Sequence, residues 1–294
     1  MDLFTLLASD PALQVVAIVC GGLIVGSFLN VVIHRLPLRL ETEWREQCAA
    51  MTDGTAVTAP EKGAASYGLL WPPSSCPHCG HRIRPWENIP VVSWLMLRGR
   101  CSGCGERISA RYPVVEAVTA VLSLVVLWRF GWTVQTAAAL LFTWALVALT
   151  AIDLDHMLLP DGITLPLLWL GLLVSVAGWS VAPSTAIIGA IAGYLALWVV
   201  YHVFRLLTGK EGMGYGDFKL LAALGAWMGW QSLPLIVILS SAVGAIVGVA
   251  MIAGLGRGRD QPIPFGPYLA AAGWIAMLWG DRIIGLYLHL AGLR

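Results

Sequence analysis

The chain has 294 residues, of which 58% are hydrophobic and only 12% are charged. Soluble domains carry roughly 25% charged residues, so this composition excludes an ordinary soluble domain and predicts a protein that crosses a membrane several times. The formal net charge of +1 gives no reason to expect a nucleic-acid partner. The first ten residues contain no Lys or Arg, so the basic start of a cleavable signal peptide is missing and the first apolar run is expected to remain as a membrane span.

The first predicted span covers residues 11–33, because a bilayer core requires ~20 apolar residues. The polar region that follows, residues 34–112, carries ten of the eighteen Lys and Arg residues. Because basic loops stay on the cytoplasmic side, this asymmetry predicts a periplasmic N-terminus and a cytoplasmic loop. Within the loop, residues 41–68 are expected to be weakly ordered and receive no function, whereas residues 69–112 are expected to form a small domain.

Seven further apolar runs follow this loop, at residues 113–128, 133–152, 162–180, 185–204, 218–230, 233–254 and 266–290. With the first span, they predict an all-α polytopic membrane protein of about eight transmembrane helices. The run that begins at residue 218 is short for a full crossing. The charges between the runs alternate across the membrane as the positive-inside rule requires, which places the C-terminus outside.

Four of the six cysteines form two C-x-x-C pairs, Cys76 with Cys79 and Cys101 with Cys104. The 21 residues between the pairs are one more than the usual zinc-ribbon spacing. A glycine follows the second cysteine of each pair and permits the tight turn that directs two thiolates to one metal. Disulfides are reduced in the cytoplasm, so the pattern predicts zinc held by these four cysteines. Four thiolates leave no open coordination position, which favours a structural role over a catalytic one.

The segment Gly212–Lys219 places three glycines at alternate positions before Asp217, which enters an apolar run. Glycine weakens helices and frees the backbone for φ > 0, so the segment is expected to interrupt a helix. A carboxylate at this depth is costly without a partner or a function. Asp153 ends an earlier apolar run, at the same cytoplasmic depth in the predicted topology. The two carboxylates can therefore meet and share a proton, as in an aspartic-protease dyad.

The residues alone leave other roles open for this acidic pair. Asp153 could be a helix-end carboxylate that faces water, and Asp217 could be the N-cap of the following helix. Intramembrane acids also mark proton or cation transporters, although the paired broken helices typical of transporters are missing from this sequence. A non-catalytic assembly factor whose cysteine module docks a partner is a further alternative. H-E-x-x-H and G-x-S-x-G motifs are missing, so the metalloprotease and serine-hydrolase classes lack their parts.

Other polar residues near the predicted cytoplasmic face have two possible roles each. Ser27 and Asn30 share one helix face, where they either hold the first helix to its neighbours or line a site. Glu87 and its neighbours in the cysteine module either contact a bound molecule or pack the module internally. Asp161 is expected to cap a helix, and Lys219 is expected to extend to lipid headgroups.

Several long motifs resemble those of the bacterial type IV prepilin peptidases, which are membrane aspartic proteases of the G-x-G-D class. They are GSFLN at 26–30 with RLP at 35–37, the two C-x-x-C pairs, RPWENIP at 84–90, RYPVVE at 111–116, the segment from Ile152 to Asp161, GMGYGDFK at 212–219 and PFGPY at 264–268. The resemblance extends over almost the whole chain between Gly22 and Tyr268, and is weakest at 41–68.

The resemblance implies that Asp153 and Asp217 are the catalytic pair and that Gly214 and Gly216 belong to the active-site loop. It implies cleavage of the basic leader from type IV prepilins and from type II secretion pseudopilins, at a Gly-Phe type bond on the cytoplasmic face of the bacterial inner membrane. It also implies N-methylation of the new terminal amine with S-adenosylmethionine. The methyl-donor site remains unassigned, since no Gly-rich Rossmann fingerprint accompanies this activity.

Three parts are therefore expected: a first transmembrane helix at 1–33, a cytoplasmic loop at 34–112 that contains the zinc module at 69–112, and a membrane aspartic protease domain at 113–294. The expected partners are the prepilin and pseudopilin substrates and the lipid bilayer, with no nucleic acid. A coupled pair of carboxylates titrates as a unit, so neither aspartate is assigned as the base.

Overall fold

The computed structural model describes residues 9–53, 68–69, 71–255 and 263–292. Within these ranges the regular secondary structure is helical, and strand-like pairing is limited to two isolated bridges, Ser75 with Arg82 and Arg100 with Arg107. The chain divides into two compact units, one that ends at Trp128 and one that begins at Arg129.

The helices are α1 (Pro11–Asp53), α2 (Val92–Met96), α3 (Arg111–Phe130), α4 (Val134–His156), α5 (Asp161–Val176), α6 (Pro183–Thr208), α7 (Tyr215–Met228), α8 (Leu233–Leu255) and α9 (Gly266–Leu290). In the described part of the chain, six are long and apolar enough to cross a membrane: α1, α3, α4, α6, α9, and α8 with the turn before it. Helices α5 and α7 have only 16 and 14 residues. The predicted all-α polytopic fold is confirmed, and two of the eight expected spans are short helices.

Helix α1 continues beyond the predicted first span into the polar region and ends at Asp53. An ion pair between Arg39 and Glu43, one turn apart at 2.7 Å, supports this exposed extension. Residues 41–53 are thus helical, and the expectation that they are weakly ordered is wrong, because their Ala, Glu and Arg content favours a helix. Residues 54–67 of the same stretch lie outside the described residues.

In the first unit, α1 and α3 pack closely at two glycines. A Cβ atom at Gly26 would lie 2.7 Å from the Cα atom of Glu116, and Gly22 makes the same kind of contact one turn earlier. Small residues allow two helix backbones to approach this closely. The side chain of Asn30 donates to the carbonyl of Tyr112 at 3.0 Å, which supports the helix-contact role rather than the site-lining one.

Helix α7 forms the centre of the second unit. Six of its side chains are completely buried: Phe218, Leu220, Leu221, Ala223, Leu224 and Ala226. It packs closely against three other helices, each time at a glycine of that helix. Gly189 of α6 contacts Gly225, Gly171 of α5 contacts Trp227, and Gly273 of α9 contacts Leu224. Protein rather than lipid surrounds most of α7, so the helix does not need the full length of a bilayer span.

The outer helices of the second unit expose large apolar side chains. They include Ile187, Ile188, Ile191 and Leu195 on α6, and Ile238, Ile246 and Val249 on α8. Exposed apolar surface of this extent is unfavourable in water and suits contact with lipid. The second unit therefore has the character of a membrane-embedded bundle.

Candidate functional site

Asp153 lies in the last turn of α4, which ends at His156. Its side chain is buried, with a relative exposure of 5%. The backbone N–H of Gly266, at the start of α9, donates to Asp153 Oδ2 at 3.0 Å. The alternative of a helix-end carboxylate in water is therefore wrong, since Asp153 is enclosed by a second helix start.

Asp217 lies in the first turn of α7 and has a relative exposure of 7%. The N-cap of this helix is Gly214, so the alternative in which Asp217 is the N-cap is wrong. Gly216, which precedes Asp217, and Gly266, which binds Asp153, both lie against the side chain of Leu159. The structure thus brings two buried acids from different helices to one place. Burial of two adjacent carboxylates is costly unless they share a proton, and such pairs cluster at catalytic sites.

The glycines before Asp217 interrupt the helical pattern, as predicted, because α6 ends at Thr208 and α7 begins at Tyr215. The expectation that they free the backbone for φ > 0 is wrong, since Gly212, Gly214 and Gly216 all have ordinary φ angles. At Gly216 the structural reason for glycine is close approach to Leu159. A Cβ atom at Gly216 would lie 2.7 Å from Leu159 Cβ, whereas one at Gly214 meets its nearest neighbours at 3.9 Å.

The Gly216→Ala substitution is expected to lower the free energy of unfolding by about 1–3 kcal/mol, because the new methyl group overlaps Leu159. The matched control is Gly214→Ala, where the nearest atoms leave room for a methyl group. Thermal unfolding of the detergent-purified variants measures the difference. Equal melting temperatures for the two variants would contradict the close contact with Leu159.

An ion pair links the first turns of α5 and α7. Lys219 Nζ lies 2.6 Å and 2.7 Å from the two carboxylate oxygens of Asp161. The N-cap of α5 is Pro160, with no side-chain cap, so the expected capping role of Asp161 is wrong. Lys219 binds this carboxylate rather than extending away to headgroups, and the pair holds the turn of α7 that carries Asp217.

Two residues of this site were not singled out from the sequence. Leu159 is buried beside Gly216 and Gly266, and Gly266 supplies the hydrogen bond to Asp153. Both lie in motifs that the family resemblance singled out, the segment that ends at Asp161 and PFGPY. The motifs indicated the regions that contain Leu159 and Gly266. They did not indicate the contacts, because these join residues that are far apart in sequence.

The four paired cysteines of the first unit come together in one cluster. Their sulfur atoms all lie within 4.8 Å of one another. The Sγ–Sγ distances are 3.9 Å between Cys76 and Cys104, and 4.0 Å between Cys79 and Cys101. Tetrahedral zinc with Zn–S bonds of about 2.3 Å requires sulfur separations of roughly 3.8 Å. The cluster therefore fits a tetrahedral metal ion.

The backbone prepares both cysteine pairs for metal binding in the same way. Gly80 and Gly105 have φ angles of 69° and 75°, which confirms the tight turns predicted after each pair. The backbone N–H groups of Cys79 and His78 lower the pKa of the Cys76 thiol to about 7. A lower pKa favours the thiolate, which is the form that binds metal.

Glu87 connects the two cysteine loops. Its carboxylate accepts hydrogen bonds from the Arg84 N–H at 2.9 Å and from the Ser102 hydroxyl at 2.7 Å, and lies 3.0 Å from His81 Nε2. The Arg84 N–H, followed by Ser102 and His81, lowers the pKa of Glu87 to about 2. These contacts support internal packing of the module for Glu87, one of its two possible roles.

The helical fold defines a membrane protein with several spans, and its buried aspartates place it among membrane proteins that carry a pair of acidic side chains. The same chain contains a four-cysteine module. Residues 20–130 match the bacterial peptidase A24 N-terminal domain, and residues 140–249 match the type IV leader peptidase family. The chain belongs to the type IV leader peptidase family, which confirms the resemblance seen in its motifs.

Curated relatives are similar over almost their whole length. The chain is 54% identical over 294 residues to the prepilin leader peptidase/N-methyltransferase of Pseudomonas aeruginosa, with 100% of both chains covered. It is 59% identical over 271 residues to the Aeromonas hydrophila protein of the same name, covering 91% of each, and 46% identical over 288 residues to that of Xanthomonas campestris, covering 98% of this chain and 99% of the relative. No solved structure matches the chain.

Proposed function

We propose that this protein removes the leader peptide from type IV prepilins and type II secretion pseudopilins, and then methylates the new N-terminal amine with S-adenosylmethionine. The observation that carries the peptidase activity is the pair of buried carboxylates, Asp153 and Asp217, which two different helices bring together. The name shared by the curated relatives supports both activities.

The proposed cleavage uses one water molecule and the two aspartates. One carboxylate takes a proton from the water as it attacks the carbonyl carbon of the glycine before the cut. The other, protonated carboxyl donates its proton to the carbonyl oxygen, which forms a tetrahedral intermediate. The intermediate collapses when the C–N bond breaks: the leaving amine takes a proton from the pair, and one hydroxyl of the intermediate returns its proton to the pair as the new carboxyl group forms. Because the carboxylates titrate together, the two roles belong to the pair.

The membrane setting suits this substrate. A prepilin is an apolar helix preceded by a short basic leader, so its cleavage point lies at the membrane interface, where helices α4 and α7 place Asp153 and Asp217 in the predicted topology. We place the protein in the bacterial inner membrane, with a periplasmic N-terminus and its active site towards the cytoplasm. The non-helical residues 209–214 are proposed to pair with the extended substrate backbone. Full cleavage activity in Gly214→Ala would contradict that pairing.

The four-cysteine cluster is proposed to hold zinc in a structural role. Cys76, Cys79, Cys101 and Cys104 supply the thiolates, and zinc there cross-links two loops that are far apart in sequence. The module is proposed to serve the methyl-transfer reaction together with the inner end of α1.

Substitution of Glu87 by alanine is expected to speed zinc release to a chelator, because the carboxylate joins both cysteine loops through Ser102, His81 and Arg84. The matched control is Glu106→Ala, which removes an exposed carboxylate of the same module. A metal-sensitive dye records the release from the two purified variants. Indistinguishable release rates would contradict a bracing role for Glu87.

One assay separates the proposed enzyme from its two rivals. Purified protein in detergent is mixed with a full-length prepilin and labelled S-adenosylmethionine. An enzyme shortens the prepilin by the mass of its leader and transfers label to the mature chain. A proton or cation transporter, or a non-catalytic assembly factor, leaves the prepilin intact.

A further inference from the structure

The start of α9 makes a direct contact with a candidate catalytic carboxylate. Gly266 is the first residue of this helix, and Pro267 is the second. The first N–H groups of a helix have no acceptor within the helix, and proline has no N–H at all. The Gly266 N–H is therefore the donor that the first two positions of α9 offer, and it is used on Asp153 Oδ2 at 3.0 Å.

No side chain fits at position 266 unless that carboxylate or the start of α9 moves. A Cβ atom there would lie 2.6 Å from Asp153 Oδ2 and 3.1 Å from Leu159 Cδ2. Carbon and oxygen atoms do not approach to 2.6 Å without bonding, so either the aspartate or the start of α9 would have to shift. The absence of a side chain at 266 is thus a condition for the observed position of Asp153.

Leu159 completes the arrangement on the other side. It is buried, and it contacts both Gly266 of α9 and Gly216 of α7. Gly216 directly precedes Asp217. The side chain of Leu159 therefore lies between the start of α7, which carries Asp217, and the start of α9, which binds Asp153. Both helices reach this leucine through a glycine, which lets them come close to the acidic pair.

We infer that Gly266 is a positioning residue of the peptidase reaction, whose N–H fixes the orientation of the Asp153 carboxylate and whose missing side chain leaves room for it. Because the Gly266 N–H binds Oδ2 of Asp153, Oδ1 of the same carboxylate is left to interact with the shared proton and the attacking water. Gly266 itself does not touch the substrate in this account. The inference rests on the proposed catalytic role of Asp153 and adds the group that holds it.

The first test is the Gly266→Ala variant, assayed for cleavage of purified prepilin. Its kcat is expected to fall by about 100-fold, because displacement of a catalytic group by about 1 Å costs a factor of this size. KM is expected to change by less than about 3-fold, since the substrate-binding surface is unaltered. Methyl transfer to a pilin that is already cleaved is expected to be unchanged. The control is Gly285→Ala on the same helix, where a Cβ atom meets nothing within 4 Å.

A second variant keeps the inference testable if the alanine protein does not fold. Replacement of Gly266 by glycolic acid converts the amide into an ester, which removes the N–H donor without adding a side chain. Its kcat is expected to fall at least about 10-fold with KM unchanged, because the carboxylate loses its fixed donor. Wild-type kcat in this ester protein would overturn the inference.

The Asp153→Asn variant separates the inference from the proposed function. If Asp153→Asn is inactive while the ester protein keeps full activity, the catalytic pair stands and the role of Gly266 is wrong. If Asp153→Asn cleaves prepilin, the proposed catalytic role of Asp153 is wrong, and the inference fails with it. Loss of kcat in both proteins supports the two claims together.

Discussion

Replacement of either Asp153 or Asp217 by asparagine is expected to reduce the rate of prepilin cleavage by about 10³-fold or more, because an amide cannot exchange the proton that the mechanism requires. Asparagine has almost the same shape as aspartate, so the buried site should remain packed. Both variants should insert into the membrane at wild-type levels. Cleavage is followed by mass spectrometry of a purified prepilin.

The matched control for these variants is Asp155→Asn. Asp155 is exposed and lies only two residues after Asp153 in the same turn of α4, so it tests the loss of a nearby charge without the loss of a buried carboxylate. This variant should cleave at close to the wild-type rate. The two inactive variants should still methylate a pilin that has already been cleaved, since the proposed methyl-transfer region lies in the first unit.

Substitution of Cys76 or Cys101 by serine is expected to remove the metal and unfold the cysteine module. Among residues 71–110, which the structure describes throughout, only Gly99 is buried, so the module has almost no hydrophobic core of its own. Small domains of this kind depend on metals or disulfides for stability. Structural zinc binding supplies an apparent free energy of about 10–16 kcal/mol, which no other contact in the module replaces.

The cysteine prediction has two measurements. Elemental analysis should find one zinc ion per wild-type chain and none in the serine variants, whereas Cys20→Ser, an exposed cysteine on α1, should keep its zinc. Methyl transfer should be lost in Cys76→Ser and Cys101→Ser while cleavage by the second unit continues. A wild-type protein that contains no metal when purified without chelators would contradict the zinc assignment.

Local patterns in the sequence were sufficient for the membrane helices and the cysteine cluster. A long apolar run must satisfy its backbone hydrogen bonds internally, so length and hydropathy predict a helix almost regardless of its neighbours. Two C-x-x-C pairs can converge on one metal because each pair makes its own turn, at Gly80 and Gly105. The extension of α1 to Asp53 was missed because a polar helix carries no apolar stripe that distinguishes it from a loop.

The acidic site was predictable only in part. The alternation of apolar runs and charged loops puts Asp153 and Asp217 at one membrane depth, and this common depth makes a pair plausible from the sequence alone. The hydrogen bond from Gly266 joins residues 113 positions apart, and the ion pair of Lys219 with Asp161 joins residues 58 positions apart. Contacts at such separations depend on how the helices pack, which periodicity does not encode.

The central claim is that the two buried aspartates cleave prepilin. The most direct measurement places wild-type and Asp217→Asn proteins in lipid vesicles with a full-length prepilin and records the product masses. The account predicts that the wild-type protein releases the leader at the Gly-Phe bond, and that Asp217→Asn leaves the prepilin uncut although it is folded and inserted. Cleavage at that bond by Asp217→Asn, or an intact prepilin in the presence of the folded wild-type protein, would contradict it.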